Sequence, residues 1–140
     1  MADDEHWLIV ETRRWLTHAW EDLEAAGRLL EGPRPLNSRA AFCAQQAAEK
    51  SLKGLLTFRK IPFKKTHDVR ELGSQCAAGD RELMDATHCA AALSRFAVEG
   101  RYPGEWPTPT NEEAHKALQL ARELYEVVLA RLPNGAKPPP

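Results

Sequence analysis

Apolar residues recur at three- and four-residue intervals along most of the chain, and no segment shows sustained strand alternation. Between residues 6 and 31, Leu16, Ala19, Trp20, Leu23, Ala26 and Leu30 form one stripe, which predicts an amphipathic helix. Gly32-Pro33-Arg34-Pro35 ends it, because proline cannot continue the hydrogen-bond ladder. Asn37 or Ser38 is then a suitable N-cap for a second helix running to about Lys60. Its apolar positions, among them Ala40, Ala44, Ala48, Leu52, Leu55 and Leu56, wrap more than one face. A helix apolar over so wide an arc is central, and its alanines permit close approach by neighbours.

Ile61-Pro62-Phe63-Lys64-Lys65-Thr66-His67 breaks the pattern, and Asp68 can cap a short third helix over 68–78. Asp80 can cap a fourth helix, about 81–98, carrying Leu83, Met84, Thr87, Ala90, Ala91 and Phe96. Residues 99–109 read as a loop by their glycine and proline content. Thr110 or Asn111, with Glu113 behind, opens a final helix reaching about Leu132. The pattern predicts an all-α fold, a four-helix up-down bundle with one additional short helix. One domain over residues 1–132 is expected, with 133–140 a disordered proline-rich tail.

Composition narrows the function classes. With 19 Lys and Arg against 20 Asp and Glu, nothing global attracts nucleic acid, so any basic surface must be local. No apolar run approaches the roughly 18 residues of a membrane span. The acidic opening Met1-Ala2-Asp3-Asp4-Glu5 is unlike a signal peptide, which makes cytoplasmic residence the default expectation. Cys43, Cys76 and Cys89 are widely spaced, which speaks against a disulfide framework or a zinc knuckle. Cys43 and Cys89 sit among alanines and read as small buried residues. No metal or other cofactor is called for.

The candidate chemistry lies in three islands of charge. Glu49, Lys50 and Lys53 stand on the central helix, and Glu49, nearer the apolar arc, needs a cation if buried. Arg101 is the candidate partner for a structural polar cluster with Glu49. Lys64, Lys65 and His67 precede the Asp68 cap, where a phosphate is favoured by nearby cations and helix amides. Arg101-Tyr102-Pro103 adds a guanidinium and an aromatic ring suited to phosphate contact and base stacking. Folded together, Lys50, Lys53, Lys65, His67, Arg101 and Tyr102 are expected to line one anion-binding cleft. Trp15 lies off the Leu16–Leu23–Leu30 stripe and is expected to face a second subunit.

The order of these pieces resembles the HEPN domain family (higher eukaryotes and prokaryotes nucleotide-binding). The resemblance rests on Ala19-Trp20-Glu21-Asp22-Leu23, on Gln45-Gln46-Ala47-Ala48-Glu49-Lys50 with Leu52-Lys53, on Lys65-Thr66-His67-Asp68-Val69, and on Arg101-Tyr102-Pro103. It spans roughly residues 12–130 and implies a helical bundle that forms a homodimer and binds nucleotide or RNA. It also implies partnership with a small nucleotidyltransferase, often as a toxin–antitoxin pair. Some relatives are metal-independent ribonucleases whose motif is Arg, four to six residues, then His. Arg13-x4-His18 and Arg81-x6-His88 both fit that spacing. The second is the better placed, with His88 as general acid/base and Arg81 stabilising phosphorane charge. A purely structural dimerisation module is the remaining alternative.

Overall fold

A computed structural model describes residues 2–99 and 107–140. Its helices are α1 (Ala2–Leu29), α2 (Asn37–Phe58), α3 (Val69–Cys76), α4 (Arg81–Ala90), α5 (Arg95–Glu99) and α6 (Asn111–Leu129). A 3-10 turn, Ala91–Ser94, joins α4 to α5, and a second, Asn134–Ala136, follows α6. No strand occurs among the described residues, so the fold is all-α.

Helix α2 is the axis, packed against α1, α3, α5 and α6. Leu52, Leu55 and Leu56 are fully buried along it, each burial stabilising by about 1.5–3 kcal/mol. Alanine and glycine bring α1 close: a Cβ on Gly54 would stand 2.2 Å from Leu16 Cδ2 and 3.1 Å from Trp15 Cβ. Leu16, Ala19, Leu23, Ala26 and Leu30 form the buried stripe of α1.

The capping expectations hold at three helix starts. Asp68 accepts from the amides of Arg70 and Glu71, and Asp80 accepts from Leu83. Thr110 and Glu113 form a reciprocal capping box at α6. Helix α2 differs, because Leu36 is its N-cap and supplies no side-chain bond. Asn37 instead donates from Nδ2 to the Pro109 carbonyl, tying the start of α2 to the approach to α6. At the other end the amides of Lys60 and Ile61 bond back to Thr57 and Leu56, a Schellman closure that puts Lys60 at φ 58°.

Four expectations are corrected. The fourth helix does not run unbroken to residue 98; it tightens at Ala91, although no glycine or proline interrupts it. There the Ser94 hydroxyl accepts the otherwise unpaired Val69 amide, which ties the tightened turn to the start of α3. The chain after Leu132 is not disordered throughout, since Ala136 is fully buried and Gly135 accepts a bond from Arg13. Cys89 is exposed and Cys43 half-buried, because alanine neighbours in sequence do not define a face. Trp20 and Met84 are 44% and 51% exposed, outside the buried stripes that their spacing predicts. Among the described residues no helix is long and apolar enough to cross a membrane.

Candidate functional site

Residues four apart share a helix face, and α2 uses that spacing to build a polar ladder inside an apolar helix. Gln45, Glu49 and Lys53 are all buried on the same face. Lys53 Nζ donates to Glu49 Oε1 at 2.6 Å, and Gln45 Nε2 donates to Glu49 Oε2 at 3.1 Å. Burial alone would push the Glu49 carboxyl upward. Hydrogen bonds from Lys53, His67 and Gln45, with the charge of Lys53, outweigh it and hold the group below its ordinary value. Glu49 is therefore an anion inside the fold.

His67 reaches this anion from the connection between α2 and α3. Its Nδ1 lies 3.0 Å from Glu49 Oε2 and 3.1 Å from Oε1, while its backbone carbonyl accepts from Gln45 Nε2. An ionised carboxylate only accepts, so Nδ1 carries the proton in this contact. The loop is thus fixed by one side chain and one carbonyl, with half of the His67 side chain still exposed.

Trp15 links the ladder to the surface of α1. Its ring meets Phe63 edge-on at 6.2 Å between centroids, and Lys53 Nζ lies 5.8 Å from its centroid. Trp15 is held by the close α1–α2 approach at Gly54 and is half-buried. On the other side Trp15 lines a shallow groove of about 420 Å³ with Glu11, Arg14, His18 and Lys50. Lys50 Nζ is paired there with Asp22 of α1 at 2.7 Å. Arg14 is paired with Glu11 at 2.7 Å, so the indole edge, which suits stacking by an aromatic base, is the groove's main binding feature.

The structure gathers part of the expected cleft. Glu49, Lys53 and His67 meet directly, and Lys50 joins them through Trp15. Lys64 and Lys65 are exposed on the loop leading to His67. Arg101 and Tyr102 lie outside the described residues, as does any pairing of Glu49 with Arg101. Lys53 and His67 meet the need for cationic or hydrogen-bonding partners that the sequence reading assigned to Arg101. Arg81 and His88 are both exposed on α4, and Arg81 does not line the groove that His88 does. Arg13 and His18, by contrast, line one depression on α1 with Arg14 and Thr17. No group of three or more His, Cys, Asp and Glu among the described residues is placed to hold a metal ion.

Gln45 and Phe63 are site residues that the sequence reading did not single out. The spacing 45-49-53 was the available signal for Gln45. Nothing in sequence spacing marks Phe63, which reaches Trp15 through the loop path.

Among solved structures, an archaeal HEPN homologue, ST0689, matches with a TM-score of 0.65 at 24% identity, over 86% of this chain and 96% of its own. TT1696 from Thermus thermophilus matches with a TM-score of 0.64 at 28% identity, over 86% of this chain and 98% of its own. No curated protein matches the chain. The model of the HEPN domain matches residues 12–132. With that match covering most of the sequence and the same bundle in both solved structures, the chain belongs to the HEPN domain family.

Proposed function

We propose that this HEPN-domain protein binds nucleotide or RNA phosphate at the surface around Trp15, Lys50, Lys65 and His67. In this reading it works as a homodimer with a partner nucleotidyltransferase, as one half of a toxin–antitoxin pair. The observation that carries the proposal is the buried Glu49–Lys53 pair holding His67 at the surface beside the exposed Lys64 and Lys65. A buried ion pair is a poor source of stability, so its best-supported use is to fix a geometry. Here it fixes an imidazole and a basic loop next to an aromatic groove. Because Lys50 and Lys53 are already paired, net attraction for phosphate comes mainly from Lys64, Lys65 and His67.

Metal-independent RNA cleavage by Arg81 and His88 is less well supported, since the two side chains do not line one groove. A purely structural module leaves the basic loop without a role. Titration of the native protein with ATP and with a short oligoribonucleotide tests the proposal. Lys65→Ala is expected to weaken binding several-fold and to lower its salt dependence, with the melting temperature unchanged. Wild-type affinity in Lys65→Ala and His67→Gln, or no binding by the native protein, overturns it.

A further inference from the structure

Away from that site, α3 and α4 enclose a groove of about 350 Å³. It exists because the helices meet at Gly73, where a Cβ would stand 1.9 Å from Thr87 Cγ2. The groove is largely apolar, with Gly73, Ala77 and the half-exposed Met84 among its lining. Arg70 from α3 and His88 from α4 also line it, and no acidic side chain does. Neither the Arg70 guanidinium nor the His88 ring has an ion-pair or hydrogen-bond partner among the described residues. Thr87 lines the same groove at 5% exposure, and its hydroxyl is one of the buried polar atoms the described fold leaves without a hydrogen bond.

These features complement one ligand chemistry. An apolar body would cover Met84 and Ala78, exposed surface that otherwise stays wet. A single anionic head would meet Arg70 and His88, which can approach it from two helices. The volume is that of a small molecule, at the lower end of ligand cavities. A nucleic-acid strand needs cations repeated along its track, which this lining lacks. We propose that the α3–α4 groove is a binding site for a small anion with an apolar body, the body on Met84 and Ala78 and the charged group on Arg70 and His88.

Anilinonaphthalene sulfonate is a probe of this chemistry, and phenylnaphthylamine is its uncharged counterpart. The native protein is expected to bind the sulfonate saturably at one site. Arg70→Ala should weaken the sulfonate about tenfold while leaving the uncharged probe unaffected, because only the sulfonate uses the guanidinium. Ser74→Trp starts from an exposed lining position and should block both probes while preserving the helical melting transition. Ala78→Phe, also exposed and lining the groove, repeats the block by a second route. Equal sulfonate affinity in the native protein and all three variants overturns the proposal, as does the absence of saturable binding by the native protein.

Discussion

Replacing Glu49 by alanine removes the carboxylate that Lys53, His67 and Gln45 all address. It leaves the Lys53 ammonium in a site only 9% exposed. Removing one partner of a buried ion pair costs about 3–5 kcal/mol, because the remaining charge is neither hydrated nor paired. The rings of Trp15 and Phe63, 5.8 and 5.9 Å from Lys53 Nζ, offset about 1 kcal/mol of that. The expected loss is about 3 kcal/mol, a fall of about 10 °C in melting temperature for a domain of this size. Urea unfolding followed by circular dichroism measures it directly. Glu49→Leu combined with Lys53→Met replaces both charges with apolar groups of similar length. That double variant should lie within about 1 kcal/mol of the native protein, well above Glu49→Ala. A loss below about 1 kcal/mol in Glu49→Ala, or a double variant weaker than the single one, refutes the reasoning.

Two further outcomes concern stability. The Arg131 guanidinium, bound to Asp80 through two nitrogens, holds that carboxyl at about 2 against its ordinary 3.8. A depressed carboxyl stabilises the fold above its unfolded value and loses that contribution as pH falls from about 4 toward 2. Asp80→Asn should cost about 1–2 kcal/mol at neutral pH, screening included, and flatten the melting-temperature profile across that acid window. An equally steep acid profile in Asp80→Asn counts against the assignment. Lys60 occupies a left-handed backbone position at φ 58°, and Lys60→Gly should raise stability by about 1 kcal/mol in thermal melts. A lower melting temperature there means that Lys60 makes contacts outweighing its backbone strain.

The helices were legible because the apolar positions of α1, α2 and α6 keep one period long enough to dominate. Their caps were legible where Asp or Thr stands before a helical run, as at Asp68, Asp80 and Thr110. The break at Ala91 was not, because no glycine or proline marks it, and the Ser94 hydroxyl there meets an amide 25 residues away in sequence. Met84 fits a helical stripe, yet the facing α3 carries Gly73 and Ser74 there and leaves a groove rather than a core. In the site, Glu49 was visible as a carboxylate that needs a cation if buried, whereas Lys53 was expected to line the anion cleft. A sequence shows that a carboxylate needs a cation but not which group supplies it. The residue four places along the same helix supplies one.

The ladder divides the labour of the site in a way that separates scaffold from ligand contact. Charges on Lys53 and Glu49 cancel at 2.6 Å, so together they present almost no field to an approaching phosphate. What they transmit is position: Glu49 grips the His67 ring, Gln45 grips its carbonyl, and the loop bearing Lys64 and Lys65 starts from that fixed point. The exposed lysines supply attraction that salt screens, whereas the buried pair supplies order that salt hardly touches. Raising ionic strength therefore weakens phosphate binding through the loop while leaving the loop's anchor intact. If salt loosened both together, the buried pair would be acting as an electrostatic contact, and the positional account of Glu49 would fail.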